Sequence, residues 1–249
     1  MTDPIFLPGV PTDLVLAALR RNPGHELATG KFDAPEASAP LAANAFGWFL
    51  DRPALLPPLP GVPMGQPEGV EIEAEMRLPW SGGRHPWVAA ELTTATTLVG
   101  VRAVRYEPFR PKKASAFTEP FASREWGPGM NRWNALRRAL GDGSQTYRCL
   151  DAVALVKLAY ALRTQSVKRA RGAVLVYLHA SPATWASGKP VAAEAIARHQ
   201  AEIEDFVRAV RGDDVTFVAV RWSDLLAQWS RLPALKAHAA AITARFGVL

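Results

Sequence analysis

The chain has 249 residues, of which 49% are hydrophobic, and we expect residues 1–249 to form one domain with a substantial core. The single cysteine, Cys149, excludes a disulfide framework and a cysteine-rich zinc site, and it fits a reducing compartment. A net charge of +6 favours polyanionic partners where the basic residues cluster. The N-terminus lacks the pattern of a signal peptide, and no apolar run approaches the ~20 residues of a membrane span. We therefore expect a soluble, cytoplasmic protein that does not enter a membrane.

The N-terminal part of the chain contains two predicted helices and a connector. Within the N-terminal extension, residues 1–37, a helix is predicted from about Asp13 to Arg21 with Thr12 as its N-cap. A second helix begins at Ser38, which is placed to cap it. Six prolines between residues 51 and 69 exclude regular structure, so this segment is predicted to be a connector over the surface of the same domain.

Three consecutive strands are predicted next. From Val70 to Leu78, apolar residues alternate with charged ones, which is typical of a strand with one buried and one solvated face. A turn at Ser81-Gly82-Gly83-Arg84 predicts a hairpin that leads to a second strand, Trp87 to Leu92. A third strand follows from Leu98 to Tyr106. We therefore expect three antiparallel strands in a row.

The C-terminal part alternates helices and strands. The predicted elements are a helix from Met130 to Leu140 that ends before Gly141, a helix from Asp151 to about Arg163, a strand from Ala173 to Ala180, a helix from Val191 to Val210, a strand from Val215 to Arg221, and two helices within residues 222–249. A strand-helix-strand unit predicts parallel pairing of its two strands. The fold class is therefore α/β, with a mixed central sheet flanked by helices. The lone His179 in an apolar strand is predicted to be a satisfied core residue.

The order of these elements resembles the α-β-β-β-α-β core of the restriction-endonuclease-like, or PD-(D/E)XK, nuclease superfamily. The resemblance extends from about Ser38 to Arg221. Three segments are similar to bacterial proteins of this superfamily: Pro79 to Trp87, Leu98 to Val101, and Tyr106 to Phe109. The resemblance implies the same fold. It also implies a site in which an Asp on one strand and a Glu-x-Lys on the next hold Mg²⁺ and orient an attacking water.

The resemblance places these functional positions on residues of the wrong chemistry. The Asp falls on or near Ala89, the acidic residue of the next strand on Arg102, and the lysine on Val104. Alanine offers no donor oxygen, arginine repels a divalent cation, and valine cannot hydrogen-bond a water. The resemblance therefore implies a pseudo-nuclease that needs no cofactor and acts as a nucleic-acid-binding or interaction module, with DNA as a possible partner. Nucleases of this fold are often dimers, so a homodimer is left open.

Basic residues concentrate in two runs that suit a nucleic-acid contact or, equally, a solvated surface. The first comprises Arg102, Arg105, Arg110, Lys112 and Lys113, and we predict that these residues contact nucleic acid. Arg102 is the best placed for a phosphate, because a guanidinium grips such a group in bidentate fashion. The second run comprises Arg163, Lys168, Arg169 and Arg171.

Two other functions are kept as alternatives. In the first, Glu73, Glu91 and Glu107 supply relocated oxygen ligands for Mg²⁺, and the chain is an active DNA endonuclease. The same glutamates are also typical of a solvated strand face. In the second, the chain is an accessory or structural subunit without nucleic-acid contact. Salt-dependent DNA binding and metal-dependent cleavage would separate the three functions.

Overall fold

A five-stranded mixed sheet forms the centre of the protein. The computed structural model describes residues 6–22, 27–80, 84–111, 115–247 and 249. The strands are β1 (Gly69–Glu75), β2 (Trp87–Thr93), β3 (Thr97–Val104), β4 (Gly172–His179) and β5 (Val215–Arg221). They lie in the order β1-β2-β3-β4-β5, with β2 antiparallel to both of its neighbours and β3, β4 and β5 mutually parallel. The predicted α/β class with a mixed sheet is confirmed.

Helices cover both faces of this sheet. They are α1 (Thr12–Arg21), α2 (Ser38–Gly47), α3 (Glu119–Ser123), α4 (Asn131–Asp142), α5 (Ala152–Lys168), α6 (Ala193–Val210), α7 (Trp222–Ser230) and α8 (Pro233–Phe246). Three short 3-10 helices span Lys31–Asp33, Pro53–Leu55 and Glu107–Phe109. Over the described ranges, no helix is both long enough and apolar enough to cross a membrane.

The sheet separates two hydrophobic clusters. One lies between the sheet and α1, α2, α7 and α8, and contains Phe46, Trp222 and Trp229; we call it the α2-face cluster. The other lies between the sheet and α4, α5 and α6, and contains Trp133 and Phe206; we call it the α5-face cluster. Because β3 and β4 are covered on both faces, their sequences are almost continuously apolar.

The first strand departs from the predicted one-faced pattern. The apolar residues of this segment divide between the two clusters: Val70 and Ile72 in the α2-face cluster, and Ala74, Met76 and Leu78 in the α5-face cluster. The change occurs at Glu73, which adopts the left-handed backbone region with a φ of 47°. This conformation interrupts the alternation of side chains between the two faces of the strand. The strand ends at Glu75 rather than Leu78. The predicted turn residues Ser81, Gly82 and Gly83 lie outside the described residues, and β1 and β2 pair as a hairpin requires.

Several helix ends differ from the predicted ones. Thr12 and Ser38 are the first residues of α1 and α2 rather than their N-caps, and neither helix has a side-chain cap. Gly141 lies inside α4, which continues to Asp142 because Gly143 takes the left-handed conformation, with φ of 78°. Asp151 caps α5 as predicted, since its Oδ1 accepts a hydrogen bond of 3.1 Å from the backbone N–H of Ala154.

Candidate functional site

A pocket of about 300 Å³ lies at the carboxyl ends of β3 and β4, on the α5 face of the sheet. In open α/β sheets, ligands typically bind outside the carboxyl ends of the strands. The walls come from Arg102 and Val104 of β3, the segment from Glu107 to Pro111, the first turn of α5, and Tyr177 of β4. The parallel pairing of β3 with β4 places Arg102 opposite Tyr177, so the two side chains share a face.

Arg102 is one of two arginines that line this pocket, and the other is Arg110. Strand alternation sends the side chain of Arg102 toward α5, whereas its neighbours Val101 and Ala103 belong to the α2-face cluster. The side chain is half-buried. Within the part of the chain that the structure describes, it makes no hydrogen bond and no ion pair. Its guanidinium is therefore free to hold a ligand.

Two acidic residues, Glu107 and Asp151, line the same pocket, and each carboxylate is held through only one of its oxygens. Glu107 Oε2 accepts hydrogen bonds from Ser38 Oγ at 2.7 Å and from the backbone N–H of Arg105 at 2.8 Å. Asp151 uses Oδ1 to cap α5. Glu107 Oε1 and Asp151 Oδ2 have no protein partner over the described residues. The pocket therefore offers two free acceptor oxygens beside one free guanidinium.

A buried aromatic and histidine group lies beneath the pocket. The hydroxyl of Tyr177 is 2.9 Å from His199 Nε2, and burial raises the pKa of Tyr177 well above its ordinary value. His179 stacks on Tyr177 with ring centroids 5.7 Å apart. Burial lowers the pKa of His179 to about 4. His179 lies in the core as predicted, with 3% of its surface exposed, and its Nδ1 has no partner among the described residues.

The loop that enters α5 is held by α6. The backbone N–H groups of Arg148, Cys149 and Leu150 donate to the carboxylate of Glu202 at 2.7 to 2.8 Å. The Sγ of Cys149, which is buried, lies 3.7 Å from the carbonyl oxygen of Ala195. These bonds set the position of the first turn of α5, and hence of Asp151, at the pocket.

The rim of the pocket joins three loops. Arg110 forms an ion pair with Glu36, and the other oxygen of Glu36 accepts a hydrogen bond of 3.0 Å from the backbone N–H of Ala186. The half-buried ring of Trp185 stacks on Tyr106 at 5.4 Å, with 21° between the ring planes. An aromatic surface and a guanidinium therefore lie together beside the pocket.

Arg105, a predicted nucleic-acid contact, lies in a different environment. It is 6% exposed and donates hydrogen bonds to the carbonyl oxygens of Pro35, at 2.8 Å, and Phe246. Burial lowers its pKa. Its guanidinium thus joins the N-terminal segment to the end of α8 rather than facing solvent. Lys112 and Lys113 lie outside the described residues.

The second basic run is largely paired with acids at the opposite end of the sheet. Arg163 contacts Asp214 at 2.7 Å, Arg169 contacts the buried Glu91, and Arg171 lies 3.9 Å from Glu68. Because these charges are compensated within the protein, the run is a weaker surface for polyanions than its sequence indicates.

The predicted acidic ligands do not come together. Glu73 accepts a hydrogen bond from Asn22 at the end of α1, whereas Glu91 pairs with Arg169. Glu91 lies opposite Gly100, which is four residues, or about 13 Å of strand, before the end of β3 that carries Glu107. Over the described ranges, no three His, Cys, Asp or Glu side chains are grouped to hold a metal ion.

The positions that the resemblance assigns to a metal site do not fit Mg²⁺. Ala89 packs against the α2-face cluster, while Arg102 and Val104 line the pocket on the other face. None of the three side chains carries a donor oxygen, and Arg102 places a positive charge where a cation would sit.

Sequence reasoning identified Arg102 and Glu107 but missed Asp151, Cys149 and Tyr177 as residues of the same pocket. The sequence indicated Asp151 only as a helix cap, and it gave no indication for Cys149 or Tyr177. These three residues come together through sheet pairing and helix packing, which a local pattern does not show. No family model, curated protein or solved structure matches the chain.

Proposed function

We propose that this chain is a restriction-endonuclease-like protein that binds nucleic acid without hydrolysing it. The observation that carries the proposal is the unpaired guanidinium of Arg102, which lies in a pocket at the carboxyl ends of the parallel strands. A guanidinium binds phosphate or a base edge in bidentate fashion and repels a divalent cation. The element order α2-β1-β2-β3-α5-β4, in which α3 and α4 are additional helices between β3 and α5, supports the proposed relationship to the superfamily.

The surroundings of the pocket suit an unpaired strand. The ring of Trp185 offers a face for base stacking, and the exposed Lys189 adds positive charge to the same end of the sheet. Aromatic rings interleaved with basic side chains are typical of single-strand binding surfaces, where each stacked base contributes about 1–3 kcal/mol. Single-stranded DNA or RNA is therefore the first ligand to test.

The test is a binding titration with fluorescent single-stranded and duplex oligonucleotides over a range of salt concentrations. Arg102→Ala is expected to weaken single-strand binding by roughly 5- to 150-fold, since a bidentate arginine contact contributes about 1–3 kcal/mol. Arg211→Ala is the matched control. Arg211 is exposed just after α6, at the end of the sheet remote from the pocket, and its removal is expected to leave affinity unchanged.

Two outcomes would refute the proposal. Cleavage of the oligonucleotides in Mg²⁺ or Mn²⁺, abolished by Glu91→Ala or Glu107→Ala, would make the chain an active endonuclease with relocated ligands. Absence of salt-dependent binding to any oligonucleotide would favour an accessory subunit.

A further inference from the structure

The pocket has a mixed charge that a backbone phosphate does not match. Arg102 contributes one free positive group, whereas Glu107 and Asp151, which line the same pocket, each contribute a negative carboxylate with one oxygen that has no partner among the described residues. A phosphate bound to Arg102 would share a pocket of about 300 Å³ with both carboxylates, and the like charges would repel one another. A neutral ligand with acceptors on one side and donors on the other avoids this repulsion.

We infer that the pocket binds an unstacked guanine base of a nucleic-acid strand, an inference that rests on the proposed function and specifies which part of the strand enters the site. Guanine presents two acceptors, O6 and N7, to which an arginine donates in bidentate fashion. Its adjacent edge carries two donors, N1–H and the N2 amino group. The free oxygens Glu107 Oε1 and Asp151 Oδ2 are acceptors for those two donors.

The other bases match this set less well. Adenine places its N6 amino donor next to N7, so a guanidinium at that edge would meet a donor instead of a second acceptor. Cytosine and thymine lack N7 altogether. Guanine therefore combines the O6 and N7 acceptor pair for Arg102 with two donor groups, N1–H and the N2 amino group, for the two carboxylates. Cytosine has an adjacent acceptor pair, O2 and N3, but only one donor group, the N4 amino group.

The walls and the size of the pocket also suit a base. Val104, Pro108 and Leu155 supply apolar surface beside the polar groups. Proteins that accept a base out of its stack read its edges by hydrogen bonds and hold its faces between apolar or aromatic side chains. The volume of about 300 Å³ is at the small end of the range for ligand sites, which fits one base better than a longer segment.

The experiment compares short single strands that differ in one guanine. That guanine is replaced by 7-deazaguanine, which lacks N7, or by hypoxanthine, which lacks the N2 amino group, and affinity is measured by fluorescence anisotropy. We expect 7-deazaguanine to weaken binding to the unmodified protein by about tenfold. It should not weaken binding to Arg102→Ala, because that variant already lacks the guanidinium that donates to N7. The Arg211→Ala control should respond like the unmodified protein.

The carboxylates are tested with isosteric variants that keep the fold. Asp151→Asn retains a good N-cap for α5, and Glu107→Gln retains an acceptor for Ser38 and for the backbone of Arg105. The hypoxanthine penalty, expected to be several-fold, should disappear in at least one of these variants.

The possible outcomes distinguish a failure of the guanine pocket from a failure of the proposed nucleic-acid binding. If the strands bind and neither guanine replacement changes affinity, the base pocket is wrong and nucleic-acid binding stands. If no strand binds but guanosine alone does, in a manner that depends on Arg102, the guanine pocket stands and nucleic-acid binding is wrong. If neither strands nor guanosine bind, both are wrong.

Discussion

Acidification should destabilise the protein through two buried histidines. His179 and His238 are 3% and 5% exposed, and each has an Nδ1 atom without a partner over the described residues. Burial lowers the pKa of each imidazole to about 4. Near His179, the charge of Arg221 adds to this effect and that of Asp224 opposes it. His238 stacks on Trp48 and Trp229, with ring centroids 5.1 and 5.9 Å away.

The sign and size of the effect follow from the difference in bound protons. An unfolded histidine titrates near pH 6.5, so between about pH 6.5 and 4 the unfolded chain binds more protons than the folded one. Stability is therefore complete above this window and falls as the pH drops through it. At pH 5, each histidine should lower the free energy of unfolding by about 2 kcal/mol, and the pair by about 4 kcal/mol, relative to pH 7.5.

Urea unfolding followed by tryptophan fluorescence at pH 7.5 and 5 measures this loss. His179→Gln and His238→Gln should each remove about half of the pH-dependent loss, and the double variant should remove most of it. Each single variant serves as the control for the other, because only the pH dependence is compared. A double variant that loses as much stability at pH 5 as the unmodified protein would refute the assignment to these histidines.

Three further predictions concern single contacts, each measured by urea unfolding. Arg169→Ala should destabilise the protein by about 3 kcal/mol because it leaves the buried carboxylate of Glu91 unpaired, and adding Glu91→Gln should restore part of the loss. Gly129→Ala should cost at least about 1 kcal/mol, since φ is 79° there and a Cβ would lie 2.4 Å from the carboxylate of Asp214; equal stability would contradict that backbone conformation. Asp213→Ala should cost about 1 kcal/mol and Asp213→Asn less, because Asp213 accepts hydrogen bonds from two N–H groups in the first turn of α4.

Local patterns in the sequence predicted the fold class well. A strand or a helix depends on the spacing of apolar residues and on turn residues nearby, and both can be read within a short window. The hairpin of β1 and β2 and the parallel β4 and β5 were predicted in this way. The sequence did not predict that the apolar side chains of this strand move from one face of the sheet to the other at Glu73. The alternation of apolar and charged residues continues unbroken through Glu73, whereas its left-handed backbone reverses which face they point to.

The candidate site was only partly predictable. The resemblance drew attention to Arg102, and the structure places this residue in the pocket. Arg102 was grouped with Arg105, although Arg105 is buried against backbone carbonyls. Glu91 was grouped with Glu107, although Glu91 lies in β2 opposite the middle of β3 and Glu107 follows the end of β3. Local sequence does not show which charged side chains find partners inside the protein.

The sequence by itself determined the order of the five strands and of the longer helices, and hence the mixed sheet. Tertiary structure alone decided which charges are free. The partners come from distant parts of the chain: Glu107 meets Ser38 across 69 residues, Arg169 meets Glu91 across 78, and Arg105 meets Phe246 across 141. The physical reason is that periodicity acts between near neighbours, whereas the pairing of a charge depends on every segment that folding brings within hydrogen-bond distance.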